Sequence, residues 1–284
     1  MKVESRASGA LDSGKGHRDE NFPVASVLLR PEHRAPIMAF YRFARAADDI
    51  ADHETAAPTV KTEQLAAMRA GLAGEPGGIS EAVVLGSVMA KHGLDPVHAT
   101  DLLTAFERDV TVDHYADWDA LIGYCRYSAM PVGRFVLDVH GEDRAIWPAN
   151  DALCAALQVI NHLQDCGKDY RTIGRVYLPA DALAAQGARI ENLGADRASP
   201  ALAATIVSLA RRTRNLLYQS AGFADMIRDR RLAAEVAAIH RLATSLVARL
   251  ERFDPLSQRV HHGKAEAAFI AARAALPVLF RRAA

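Results

Sequence analysis

Long apolar runs and paired cysteines are both scarce in this chain of 284 residues. No apolar run approaches the roughly 20 residues that a membrane-spanning helix needs, and the polar beginning of the chain lacks the apolar segment of a signal peptide. The three cysteines are an odd number without CxxC spacing, which argues against a disulfide framework or a zinc site. These absences predict a cytoplasmic protein, and peripheral contact with the inner membrane surface stays open.

Net charge is also absent, because 34 Lys and Arg residues balance 34 Asp and Glu residues. A general nucleic-acid binder is expected to carry a basic excess, so we expect no nucleic-acid partner. Apolar residues rarely alternate as in a strand, and they recur at helical spacing instead. The sequence therefore predicts an all-α protein, with helices at about 22–29, 32–52, 60–73, 79–92, 96–112, 117–140, 149–169, 179–186, 199–222, 229–253 and 261–281.

The chain contains no linker rich in proline or serine and no internal repeat of the kind found in solenoids. We therefore expect a flexible N-terminal segment over residues 1–16 and a single helical domain over residues 17–284.

Two predicted helices carry acidic stripes. On the first, Asp48 and Asp52 share a face with Tyr41 and Arg45. On the second, the polar residues at helical spacing are Gln158, Asn161, Asp165 and Asp169. The two stripes repeat one arrangement in parts of the chain that are more than 100 residues apart.

Such stripes are unfavourable unless a cation or many donors meet them, because like charges four residues apart destabilise a helix by a few tenths of a kcal/mol. Mg²⁺ suits them, since it takes oxygen ligands and is often shared between one or two carboxylates and substrate phosphates. A solvated helix face is the alternative for either stripe alone. The pair of stripes predicts a magnesium site that holds a diphosphate.

Basic residues near the stripes could bind the oxygens of that diphosphate that the metal leaves uncovered. Alternatively, each of these basic residues is an ordinary surface cation. Arg45 is the favoured diphosphate contact because it shares the first aspartate stripe. These residues are His17, Arg18, Arg45, Lys168, Arg171 and Arg175.

A third segment lies inside the predicted helix over 117–140. Pro131 removes a backbone hydrogen bond there and should bend the helix. The small residues Ser128, Ala129 and Gly133 leave room for a close neighbour at the bend, although a kinked core helix explains the pattern equally well.

These motifs together resemble the squalene/phytoene synthase family over roughly residues 17–280. The first aspartate motif of that family is similar to Asp48–Asp52 with Phe40, Tyr41 and Arg45 before it. The second is similar to Leu157–Pro179, with its Gln, Asn and Asp stripe. The middle helix is similar to Tyr124–Gly133, which Tyr115 and Trp118 precede.

Within that family, the segments Gly14–Ser26, Ser128–Gly133 and Leu163–Cys166 resemble the branch of bacterial hydroxysqualene synthases from hopanoid pathways. Gln164 stands where many relatives have arginine, which removes a cation from beside the second aspartate pair. The resemblance implies the isoprenoid synthase bundle with a central apolar cavity. It also implies presqualene diphosphate as substrate, its ionisation, and capture of the rearranged cation by water.

The resemblance also assigns roles. Expected catalytic residues are Asp48, Asp52, Tyr124, Asp165 and Asp169, and expected metal ligands are Asp48, Asp52, Asn161, Asp165 and Asp169. Expected substrate contacts are Arg18, Asn21, Tyr41, Arg45, Gln158, Asn161, Lys168 and Arg175. Tyr41 and Tyr124 could stabilise a cation through their rings, or simply pack. Mg²⁺ is the expected cofactor and NADPH is not expected, an assignment that rests on the branch resemblance.

Three alternatives stay open at this stage. A presqualene diphosphate, squalene or phytoene synthase would show the same aspartate motifs. A non-catalytic helical assembly factor would be expected to have lost them. The C-terminal run Leu276–Arg282 is apolar and then basic, which suits an anionic membrane surface or, alternatively, a packed terminal helix. The oligomeric state is not predicted.

Overall fold

Helices account for most of the structure, as the periodicity predicts. The computed structural model describes residues 30–280, so the predicted helix over 22–29, the flexible segment over 1–16 and the residues His17, Arg18 and Asn21 lie outside the described part. The α-helices between residues 30 and 280 are α1 Pro31–Ala51, α2 Pro58–Leu72, α3 Ser80–His92, α4 Val97–Asp109, α5 Trp118–Ser128, α6 Met130–Val139, α7 Trp147–Ile173, α8 Ala180–Ala185, α9 Pro200–Gln219, α10 Phe223–Met226, α11 Arg230–Leu250 and α12 Lys264–Leu279.

Five helices begin or end at residues with a known capping mechanism. The side chains of Asp117, Ser199 and Asp229 accept hydrogen bonds from backbone N–H groups in the first turns of α5, α9 and α11. Gly93 and Gly174 adopt left-handed backbone conformations at the ends of α3 and α7. The boundaries of these helices are therefore encoded locally.

The predicted helix over 117–140 is wrong as one continuous element. The chain breaks at Ala129, where φ is −124° and ψ is −45°, and α5 and α6 lie on either side. Pro131 lies in the first turn of α6, a position that needs no N–H donor. The proline therefore starts a new helix rather than bending an existing one. By contrast, α7 is longer than its predicted range of 149–169, since it begins at Trp147 and ends at Ile173 with Gly174 as its C-cap.

The helices pack around two apolar clusters. The first joins α1, α2, α3 and α4 and includes Phe43, Ile50, Leu65, Leu85 and Leu103. The second surrounds α7 and includes Leu121, Leu153, Ile160, Leu209 and Leu246. Burying each such side chain contributes roughly 1.5–3 kcal/mol before the entropy of folding is subtracted. Acidic residues of both α1 and α7 line one cavity.

A short pairing of extended segments fixes the chain that follows α7. His114 and Val176 form a parallel bridge, and the Val176 N–H donates to the Asp113 carbonyl at 2.7 Å. The Ala180 N–H donates to the Tyr115 carbonyl at 2.9 Å. The residues between α7 and α8 are thereby held against the segment that leads into α5.

The last helix, α12, packs on α11 and keeps large apolar side chains at its surface. Phe269, Leu276 and Phe280 are 66%, 49% and 78% exposed. Over residues 30–280, no helix combines the length and the apolar character that crossing a bilayer requires. The predicted single domain over residues 17–284 stays a prediction.

Candidate active site

The stripe predicted on α1 faces a cavity of about 270 Å³. Tyr41, Arg45, Asp48 and Asp52 all line it. Arg45 lies 3.5 Å from Asp48 and 3.0 Å from Asp49, measured between guanidinium nitrogen and carboxylate oxygen. Its positive charge offsets part of the repulsion among these carboxylates. Asp49 is buried and was not among the predicted site residues.

Helix α7 supplies the opposite wall of the cavity. Gln158 and Asp169 line it as predicted, together with His162 and Ile173. Asn161 and Asp165 are partly buried on the same helix but are not among the lining residues, and Lys168 is exposed. Arg171, one of the flanking cations, donates to the carbonyls of Leu193 and Ala195 instead, both at 3.4 Å. The roles predicted for Asn161, Asp165 and Lys168 stay predictions.

Arg175 connects the two walls. Its side chain is almost fully buried, and Nη1 donates to Asp52 Oδ1 at 2.8 Å and to the Tyr177 hydroxyl at 3.0 Å. Nη2 donates to the backbone carbonyl of Asp109 at 2.9 Å. The bridge between His114 and Val176 places this residue, so the fold itself brings a positive charge to the end of α1.

Beside Arg175, the predicted residue Tyr124 lies among three side chains that were not predicted as site residues, Asp109, His162 and Tyr177. The Tyr124 hydroxyl, on α5, donates to Asp109 Oδ2 at 2.7 Å, and Asp109 is the last residue of α4. The His162 ring stacks on the Tyr177 ring with 3.5 Å between centroids, and Tyr124 lies 6.1 Å from His162 by the same measure. All four side chains line the cavity.

Burial shifts the titration of two of these groups in opposite directions. Burial raises the pKa of Asp109 to about 6, although the Arg175 charge and the Tyr124 hydrogen bond act against it. Burial, with the Arg175 charge, lowers the pKa of His162 to about 3. At neutral pH the cavity therefore contains an ionised Asp109 and a neutral His162.

The donor set of the cavity fits magnesium bound together with a substrate. Among residues 30–280, no three His, Cys, Asp or Glu side chains are grouped so that they could hold a metal ion by themselves. Mg²⁺ is typically held by one or two carboxylates with phosphate oxygens completing its shell, and not by an all-protein cage. Asp48, Asp52 and Asp169 present carboxylates from two helices to one cavity, which suits that mode.

Known proteins share both the sequence and the fold. A squalene/phytoene synthase family model matches residues 16–266. The chain belongs to the squalene/phytoene synthase family.

Relatives within that family include a hydroxysqualene synthase from Zymomonas mobilis subsp. mobilis, 57% identical over 93% of this chain and 91% of the relative. Another from Rhodopseudomonas palustris is 55% identical over 90% of this chain and 87% of the relative. The crystal structure of squalene synthase HpnC from Alicyclobacillus acidocaldarius is 30% identical, has a TM-score of 0.71, and covers 82% of this chain and 88% of that one. These matches confirm the predicted family, the all-α fold and the assignment as an enzyme.

The structure gives Gln164 a buried partner. Gln164 lies on α7, where its Nε2 donates to the backbone carbonyl of Val260. The expected effect of its exchange for arginine on the charge beside Asp165 and Asp169 stays a prediction.

The residues that the sequence reasoning missed carried a readable signal. Asp109 continues the apolar stripe of Leu102 and Phe106 on α4, and His162 continues that of Val159 on α7. A polar side chain in an apolar stripe is either satisfied by a buried partner or functional.

Proposed function

We propose that this chain is a hydroxysqualene synthase of a squalene or hopanoid pathway. It ionises presqualene diphosphate, lets the cyclopropylcarbinyl cation rearrange, and captures the product cation with water. The supporting observation is the identity of more than half of the residues with hydroxysqualene synthases over about nine tenths of the chain. The cavity between two acidic helices, with an arginine at its end, is consistent with this chemistry.

The acidic residues would serve to bind the diphosphate through Mg²⁺. Asp48, Asp52, Asn161, Asp165 and Asp169 would hold the metal. When bound, Mg²⁺ supplies Lewis-acid stabilisation of the charge that grows on the leaving diphosphate.

The cations and polar groups around the stripes would orient the same diphosphate. Arg45 lies on the acidic wall and would form charge-assisted hydrogen bonds to phosphate oxygens. Tyr41 and Gln158 line the cavity and would contact the substrate, as would Lys168 and Arg175. Arg18 and Asn21, which precede the described residues, complete the proposed set.

After ionisation, the chain must keep the cation away from premature bases. The Tyr124 hydroxyl donates to Asp109, so the ring of Tyr124 rather than its hydroxyl would meet the cation. The face of Tyr124 would stabilise positive charge through a cation–π interaction, worth about 0.5–2 kcal/mol. Phe106 and Ile173 supply apolar lining in the same cavity.

Product analysis with purified protein and Mg²⁺ tests this function. Presqualene diphosphate should yield hydroxysqualene at the same rate with and without NADPH, because water and not hydride quenches the cation. Farnesyl diphosphate as sole substrate should stay unchanged. Squalene formed only with NADPH, or turnover of farnesyl diphosphate alone, would instead support the alternatives, a squalene, presqualene diphosphate or phytoene synthase.

A binding measurement tests the metal separately from turnover. A non-hydrolysable diphosphate analogue should raise the melting temperature only when Mg²⁺ is present, since a ligand at 100 times its Kd stabilises a protein by about 2.7 kcal/mol. Asp48→Asn should remove that gain. Equal stabilisation by the analogue in EDTA would contradict the proposed role of the acidic stripes.

We also propose that the protein works in the cytoplasm and touches an anionic membrane surface through α12. The support is the exposed row of Phe269, Leu276 and Phe280, which Arg281 and Arg282 follow in the sequence. Anionic liposomes should co-sediment with the intact chain and not with a chain truncated before Leu276. Equal co-sedimentation of both would remove this proposal.

A further inference from the structure

Three side chains that line the cavity end in buried polar atoms without a hydrogen-bond partner. The atoms are Asp109 Oδ1, Ser128 Oγ and His162 Nε2. Asp109 and His162 are themselves only 8% and 7% exposed. Three elements contribute one atom each, namely α4, α5 and α7.

Such atoms are costly to leave alone. Each unsatisfied buried polar group destabilises a protein by about 1–3 kcal/mol, and native structures leave few of them. A buried water usually bonds to 2–4 polar partners, which is the number that these three side chains can offer at one cavity. The set is therefore suited to hold a small polar ligand, and water is the smallest.

The side chains that carry these atoms are held in place on their other sides. Asp109 Oδ2 accepts a hydrogen bond from the Tyr124 hydroxyl, and Oδ1 has no such partner. His162 is stacked on Tyr177, whose hydroxyl Arg175 fixes at 3.0 Å. A side chain that is held in one orientation can position a reactant without first rearranging.

We propose that Asp109, Ser128 and His162 bind the water molecule that captures the product cation, and that Asp109 accepts its proton. This inference rests on the proposed function. In the step, a lone pair of the water oxygen forms the C–O bond to the cationic carbon. The O–H bond then breaks, its electron pair stays on oxygen, and the proton moves to Asp109 Oδ1. It returns to solvent when the product leaves.

Asp109 is the group that accepts the proton in this cavity. Its Oδ1 is buried without a hydrogen-bond partner, while its Oδ2 accepts the hydrogen bond from the Tyr124 hydroxyl. Burial and the Asp52 charge raise the pKa of Asp109, while the Arg175 charge and the Tyr124 hydrogen bond act against them. His162 positions the water by hydrogen bonding, and the carboxylate takes the proton.

The test follows the fate of presqualene diphosphate in purified variants with Mg²⁺. Two quantities are measured, the diphosphate released and the hydroxysqualene formed. In Asp109→Asn and His162→Leu, hydroxysqualene per released diphosphate should fall by about 10², the low end for a lost acid–base group. Polyenes formed by proton loss from the cation should take its place. His162→Asn, which keeps a polar atom, should recover part of the ratio.

A matched control uses His98, a histidine on α4 that is 1% exposed, is absent from the cavity lining and also has a ring nitrogen without a partner. His98→Leu should keep the wild-type product ratio even if less protein folds, because the ratio does not depend on the amount of enzyme. A wild-type ratio in both cavity variants would overturn the water site. Wild-type protein that forms no hydroxysqualene would overturn the proposed function and this inference together.

A crystal structure of the protein provides a readout independent of turnover. We expect an ordered water within hydrogen-bond distance of His162 Nε2 and Asp109 Oδ1. A dry contact between these side chains would contradict the proposal even if the variants changed the products.

Discussion

Replacing Arg175 by methionine should destabilise the protein far more than removing an exposed arginine. Arg175 is 7% exposed, and its guanidinium donates to Asp52, to the Tyr177 hydroxyl and to the Asp109 carbonyl. Removing one partner of a buried ion pair costs about 3–5 kcal/mol, because the remaining charge stays buried. Asp52 keeps some access to water, since its side chain is 14% exposed, so we expect a value near 3 kcal/mol.

Urea unfolding measures this loss, and thermal unfolding should show a melting temperature lower by roughly 6–12 °C. Arg69→Met is the matched control. Arg69 bonds to Glu107 at 2.8 Å, a distance equal to that between Arg175 and Asp52, but these two side chains are 41% and 37% exposed. Such pairs contribute about 0–1 kcal/mol. Equal losses in the two variants would refute the reasoning that burial sets the importance of Arg175.

Three further outcomes follow from other parts of the molecule. Gly133→Ala should cost about 1–3 kcal/mol in urea unfolding, because its Cβ would overlap Asn150 Oδ1 and lie 2.6 Å from Cys154 Sγ on α7. Gly123→Ala, with open space around the added Cβ, should be neutral or stabilising. Burial raises the pKa of Glu235 from 4.5 to about 7, so the contribution of this residue to stability is lost as pH rises through 7. The free energy of unfolding of Glu235→Gln should therefore exceed that of the wild type by up to about 3 kcal/mol at pH 8, and this gain should vanish by pH 4. Asp48→Asn should lower turnover of presqualene diphosphate by about 10², and near wild-type kinetics would contradict its role at the diphosphate.

The sequence was most informative where one helix decides the outcome. Polar residues spaced along α1 place Tyr41, Arg45, Asp48 and Asp52 on a common face whatever the helix packs against, and all four line the cavity. The same logic holds for Gln158 on α7. Local helical geometry was sufficient to predict that these residues share a face.

The sequence was least informative where several elements must meet. Asp109 becomes a site residue only because the end of α4 lies against Tyr124 of α5, and no spacing along the chain contains that contact. The buried partner of Gln164 was not predictable for the same reason, since Val260 lies 96 residues away. Ala129 shows a local limit, because Pro131 permits either a kink or a new helix and packing decides between them.

The link between Arg175 and Asp52 also bears on how the protein folds. It joins positions 123 residues apart, and the extended pairing of His114 with Val176 must form to hold it. Contacts of such sequence separation close large loops and tend to form late, after helices and local helix pairs. During synthesis, α1 to α6 should therefore form well before Arg175 pairs with Asp52 at the end of α1. The cavity should be one of the last parts of the molecule to become protected from hydrogen exchange during refolding.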